Sequence, residues 1–337
     1  ARGIAFWGGI GGASHVIIDG NLIAAGDDGI GVFDTIGGNQ NQAVRGNATL
    51  VIADNLIGSA AQRVGTASPN DGNGIDFQSV TGAAHVVISG NSIYADANGI
   101  EFDRVVNTTY AGPGAGVEII GNPVIDSKDE NGIAFEGGVS GASVLIEGNG
   151  VHGQGQNGIR FGALSNALVR ILDNASIRGR LDGILFDGSI ANGSLVKVLD
   201  NDSIVGDQDD GIDVNQSLGG TSVVRINGNH DIVGGSSNGI EFADVNGGAT
   251  VEITGNNDGI TADDNGIQFG AVSGGAVIDI HDNIIRANQD NGDYGSGIAF
   301  LDRNAGNGKA VKVTGAAISG ADAGNYTLGD VSNSTAN

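Results

Sequence analysis

The 337-residue chain has no cysteine, no methionine, one tryptophan and three prolines, and it sets only 15 Lys+Arg against 39 Asp+Glu. Each shortage closes a route. Without Cys there is no disulfide scaffold and no thiolate metal site, and either redox compartment remains open. So little Pro, with Gly at irregular spacing, excludes a collagen-like triple helix. A net charge of −24 argues against nucleic acid as a partner, because its binders cluster basic side chains. The same charge disfavours an anionic membrane surface. No apolar run nears the ~18 residues of a membrane span, so membrane insertion is not expected.

What is abundant is Gly, 62 residues, beside 39% hydrophobic residues in which Val and Ile are prominent. A helical bundle would not carry this much Gly, since each Gly in a helix costs about 1 kcal/mol relative to Ala. A disordered chain would lack the apolar residues. Gly together with β-branched side chains predicts many short strands joined by tight turns.

The chain repeats. Gly-Ile-x-Phe, or its Val variant, begins at Gly3, Gly29, Gly74, Gly99, Gly132, Gly158, Gly183, Gly211, Gly239, Gly266 and Gly297, mostly 25 to 28 residues apart. Asn or Asp precedes that Gly nine times, as in Asn98-Gly99 and Asp182-Gly183. Such pairs readily take the positive φ of a sharp corner, and that geometry is expected here. A second motif, aliphatic-x-aliphatic-x-x-Asn, places Asn at 21, 55, 91, 122, 149, 174, 201, 229, 256 and 283. Its two aliphatics alternate as in a strand with one buried face, for example Val86 and Ile88 before Asn91. Another aliphatic residue follows the Asn, as at Ile23, Ile93, Ile204 and Ile285.

One unit therefore reads corner, short strand, loop, second strand, Asn corner, third short strand, loop. A lone unit of this length cannot bury its apolar side, whereas stacked copies can. The fold expected is all-β, a right-handed parallel β-helix of about eleven coils over residues 1–318, with 319–337 as a polar tail or the end of the last coil. Equivalent residues would stack about 4.8 Å apart, giving a rod on the order of 50 Å long. Inside, Ile, Val and Phe would form columns. Asn21, Asn55, Asn91, Asn122, Asn149, Asn174, Asn201, Asn229, Asn256 and Asn283 would form a structural amide ladder at a bend whose backbone groups need partners.

This pattern resembles the right-handed parallel β-helix repeat proteins, the superfold of pectate lyases, phage tailspikes and filamentous haemagglutinin-like adhesins. The resemblance covers nearly the whole chain. It is specific for the fold and weak for function, because one fold hosts enzymes and adhesins alike. A smaller likeness lies at Gly320-Ala-Asp-Ala-Gly-Asn-Tyr-Thr-Leu328, which resembles a motif of large bacterial haemagglutinin-type surface proteins.

Three sets of surface residues are candidates for function. In the first strand the outward column stacks Asp76 on Glu101 and Asp213 on Glu241, with Arg160 as its single basic member. The resemblance to pectate lyases, which place calcium-binding acids and a basic catalytic residue on one outer strand face, makes Asp76, Glu101 and Arg160 the site of an alternative, enzymatic reading. In the second strand the outward residues Ile17, Val51, Val87 and Leu145 are apolar and the later ones charged. The apolar half is either covered by inserted loops or a partner-binding patch. The loops before each Gly-Ile are acidic, and stacking would align Asp207, Asp209, Asp210, Asp263 and Asp264 along one edge, where calcium could bind. No other cofactor is indicated. The five His show none of the i, i+4 pairing of a helical zinc site.

Insertions are expected at about 36–47 and 59–72 in coil two, 107–116 in coil four and around 290–296 in coil ten. In the last coil Ala316 replaces the ladder Asn. The chain starts mid-repeat, so either a longer parent chain or end-to-end self-association is expected. The reading is a non-enzymatic rod of a bacterial surface protein or fibre, extracellular or at the cell surface, with carbohydrate or a cell-surface molecule as the ligand class. A polysaccharide lyase or hydrolase and a tailspike-like receptor binder are the alternatives.

Overall fold

Strict alternation within five-residue segments sets the architecture. Strand His85–Ser89 buries Val86 and Ile88 and turns His85, Val87 and Ser89 outward. Leu168–Leu172, Leu195–Leu199 and Thr250–Thr254 repeat the pattern. Each pairs in parallel and in register with its copy one coil on. The computed structural model describes residues 1–33, 43–65, 72–287 and 295–301, and the backbone of strand Ala310–Thr314. Much of the coil-two insertions, part of the segment around 290–296, Ala316 and the tail 319–337 lie outside the described residues.

The result is a parallel β-solenoid of about ten turns, close to the eleven expected, with no helix among the described residues. Three sheets run its length. The first contains the Gly-Ile strands, from Ile4–Phe6 to Ile298–Phe300. The second holds the strands before each Asn, from His15–Asp19 to Ala310–Thr314. The third holds those after it, from Leu22–Ile23 to Ile285–Ala287.

A fourth set of short strands was not foreseen. Val80–Gly82, Val106–Thr108, Val139–Ser140, Leu164–Ser165 and Ile190–Ala191 stack on one another at the far end of the first sheet. In coils eight to ten they merge with the Gly-Ile strand into Ile212–Leu218, Ile240–Val245 and Ile267–Val272. They contribute a further buried column: Val80, Val106, Val139, Leu164, Ile190, Leu218, Val245 and Val272.

The core is a bundle of such columns. Phe77, Phe102, Phe135, Phe161 and Phe186 stack face on face with centroids 4.9, 4.5, 4.8 and 5.4 Å apart. The strand spacing itself imposes that separation, which falls in the favourable range for offset rings. Val214 interrupts the stack, which resumes from Phe242 through Phe269 to Phe300.

The corners differ from expectation in one respect. The Gly of Gly-Ile does not take positive φ. It is required by crowding: a Cβ on Gly99 would lie 2.5 Å from the carbonyl oxygen of Gly132 and 2.5 Å from Ile125 Cγ2. Positive φ falls instead on the residue before each ladder Asn: Gly20, Asp54, Gly90, Gly121, Gly148, Asp173, Asp200, Gly228, Gly255 and Asp282. Gly and Asp are among the residues that tolerate this conformation.

Candidate functional site: an acidic row beside a polar ladder

Two polar ladders run through the rod. In the first, each Asn accepts through Oδ1 from the backbone N–H and Nδ2 of the Asn one coil before it. Asn149 thus donates both to Asn174, at 2.9 and 3.0 Å. Its Nδ2 also donates to the Ile119 carbonyl at 2.8 Å. The chain of contacts is continuous from Asn21 to Asn283. These side chains are spent on the fold.

The second ladder was not foreseen as such. It is built from the residue before each Gly-Ile: Asp28, Asn73, Asn98, Asn131, Asn157, Asp182, Asp210, Asn238 and Asn265. Each accepts the backbone N–H of the next. Where the rung is Asn, Nδ2 remains to donate. Asn73 gives it to Glu101, Asn98 to Glu130 and Asn238 to Glu241. At Asp182 and Asp210 the rung is a carboxylate and has no such donor.

At these two rungs three carboxylates come together. Single carboxylate oxygens of Asp182, Asp210 and Asp213 all lie within 4.8 Å of one another, and Asp182 and Asp210 are buried. Burial, and then the charge of Asp209, raises Asp182 to about 7. Burial raises Asp210 to about 7 against hydrogen bonds from Ser237 and the Asn238 N–H. Burial and the charges of Asp182, Asp210, Glu241 and Asp209 push Asp213 to about 9. Carboxyls so placed hold protons near neutral pH or share a cation. The oxygen separations suit a calcium ion, whose ligand distances are about 2.3–2.6 Å.

The calcium set expected from the sequence is therefore only partly assembled. Asp210 belongs to the cluster and Asp209 contributes charge to it. Asp207 is held by Arg178 at 2.8 Å, and Asp263 and Asp264 are exposed further along the edge. Asp182 and Asp213 complete the cluster. The legible signal for Asp182 was Asp in a position that is mostly Asn.

Asp76 and Glu101 are register partners on adjacent coils. Burial and then Glu101 raise Asp76 to about 8. Burial and the charges of Glu130 and Asp103 raise Glu101 to about 7. Arg160 lies two coils beyond Glu101 on the same column, past Ala134. Its guanidinium is engaged on both sides, by Glu136 and, at 2.6 Å, by Asp187. An open groove of about 650 Å³ runs between these groups, lined by Glu101, Glu130, Arg160, Asp182 and Asp187 among others. It runs as one acidic row from Glu101 to Asp182, a member of the three-carboxylate cluster.

The apolar residues of the second sheet are treated unequally. Ile17 is 60% exposed, Val51 and Val87 are half-buried, and Leu145 is 7% exposed. The coil-four insertion folds over part of this face: the Tyr110 ring stacks on His85 at 4.2 Å, and Glu118 accepts the Ala115 N–H at 2.8 Å.

Residues 258–336 match the family model described as YDG domain, under a quarter of the chain, including the segment Gly320–Leu328. No curated protein and no solved structure matches the chain.

Proposed function

We propose that the chain is a structural and adhesive rod module of a bacterial surface protein or fibre, exposed outside the cell, that displays an acidic groove along its first sheet. The observation that carries this reading is continuity. The Asn ladder passes through every coil from Asn21 to Asn283 without a break, which makes each coil a spacer for the next and the rod stiff. The resemblance of the repeat to surface adhesins supports it.

The polysaccharide lyase or hydrolase is the second reading, and the groove through Glu101, Arg160 and Asp182 favours it. Against it stands Arg160, whose charge is offset by Glu136 and Asp187. A base or an oxyanion partner would need that charge free.

The test is incubation of the chain with acidic polysaccharides, followed for reducing and unsaturated ends, beside a binding measurement on the same polymers and on whole cells. Binding without product release is the result expected. Product release by the parent chain that is lost in Arg160→Ala would replace the rod reading with the enzymatic one.

A further inference from the structure

One outward column of the second sheet changes charge along the rod. From coil six it reads Arg170, Lys197, Arg225, Glu252, Asp279 and Lys312, each the register partner of the next. At the midpoint Arg225 Nε donates to Glu252 Oε2 within the chain, at 3.0 Å. Lys197 and Asp279, one coil outside that pair on either side, make no hydrogen bond or ion pair among the described residues. They stand three coils apart, about 14 Å, beyond each other's reach.

The surroundings are those of a contact face. Half-buried Leu168, Leu195 and Val223 flank the column on one side, and Leu172 and Leu199 on the other. Val277 is 44% exposed at the end of the first flank. In coils three and four the 107–116 insertion covers the same sheet. In coils seven to nine only turns of three or four residues lead into the strands, whose outward residues are half-buried.

We propose that this face docks on the same face of a second copy, with the rods antiparallel and the twofold axis between Arg225 and Glu252. An antiparallel arrangement reverses the column. Lys197 then faces Asp279 of the second copy, Arg225 faces Glu252, and Leu195 meets Val277. Both rods share the ~4.8 Å strand repeat, so these pairs are in step, and the like charges Arg170 and Lys312 meet only at the two ends of the contact. Parallel docking would set Lys197 on Lys197 and is repelled. A polyanion would be attracted by Arg170 and Lys197 but repelled by Glu252, Asp279 and a net charge of −24. The contact is isologous and closes at two copies. Five residues of strand by about five coils cover on the order of 400 Å² per copy, which belongs to weak, concentration-dependent association. The inference does not depend on the adhesive reading of the rod.

Sedimentation of the whole chain over a concentration series, at low and high salt, tests it. The expected result is a monomer–dimer equilibrium that weakens with salt. Lys197→Asp and Asp279→Lys should each weaken dimerisation by about tenfold or more. The double reversal should restore it, because the two residues face each other only between copies. A monomer at every concentration overturns the proposal, and so does a double variant no better than the singles. Retention of the parent chain on an anionic polymer, lost in Lys197→Asp, overturns it in favour of a polyanion. If a reversal fails to fold, Lys197→Met and Asp279→Asn replace it: each should weaken the dimer, and the double no further than either single.

Discussion

Asp182 Oδ1 accepts the backbone N–H of Asp210 at 3.1 Å, which sets two carboxylates side by side in a ladder whose neighbouring rungs, Asn131, Asn157, Asn238 and Asn265, are amides. An amide rung accepts and donates: Asn157 Oδ1 accepts the Asp182 N–H while its Nδ2 donates to Asn131 Oδ1. A carboxylate rung only accepts, and it adds charge to a buried position. Restoring the amide should therefore help the fold. Asp182→Asn and Asp210→Asn are each expected to raise stability at pH 8 by about 1–2 kcal/mol. Thermal unfolding reads this directly, and a lowered Tm in both would refute the account of the ladder.

The pH dependence follows from the same residues. Asp76, Glu101, Asp182, Asp210 and Asp213 have folded-state values of about 7 to 9. In the unfolded chain such groups ionise at about pH 4. Between these limits the unfolded state has released protons that the folded state still holds, so stability falls as pH rises. The Tm should be highest near pH 4 to 5 and decline toward pH 9. Asp213→Asn should flatten the decline. A Tm that climbs from pH 5 to pH 8 would be incompatible with protonated acids on the row.

Divalent cations act on the ionised row. Millimolar Ca²⁺ should raise the Tm at pH 8 more than at pH 5, because protons and cation compete for the oxygens of Asp182, Asp210 and Asp213. Asp213→Asn should abolish the difference. An unchanged Tm on adding Ca²⁺, or on chelation with EDTA, would leave the cluster as a proton-holding feature alone.

The Asn ladder satisfies buried backbone groups in every coil it crosses, so its loss should be costly. Asn174 accepts from the Asn149 N–H and Nδ2 and donates to the Ile146 carbonyl and to Asn201 Oδ1. Asn174→Ala leaves these buried partners without water or protein to bond, at about 1–3 kcal/mol each. Denaturant unfolding should show a loss of several kcal/mol. A loss no larger than that of an exposed Asn, such as Asn257→Ala, would mean that the ladder is not a principal support.

Removing a ring from the stack tests the apolar columns. Phe161→Ala deletes a fully buried ring between Phe135 and Phe186 and should cost about 3–5 kcal/mol. Phe161→Leu should cost clearly less. Equal losses would indicate that ring stacking, and not filled volume, governs the column.

The sequence by itself determined the repeat, and with it the solenoid. Val86, Ile88 and Asn91 recur at fixed offsets, and a period of about 25 residues leaves stacking as the way to bury one apolar side per unit. The Asn21–Asn283 ladder was legible for the same reason; the residues before Gly-Ile are equally periodic but read as corners, and only the structure shows them as a second ladder. The residue before each ladder Asn, such as Gly90 or Asp173, is one that tolerates positive φ, although the Asn-Gly and Asp-Gly pairs predict that conformation at the other corner. The tertiary structure alone decided what happens between coils. Asp182, Asp210 and Asp213 converge because two adjacent rungs and one outward strand residue meet around a corner, a contact that runs across 28 residues of sequence. Arg160 stands in the acid column as the sequence indicates, yet Glu136 and Asp187 reach it from neighbouring coils. Periodicity fixes which residues share a column; lateral distances between columns depend on loop path and side-chain rotamer, and those exist only once the coils are stacked.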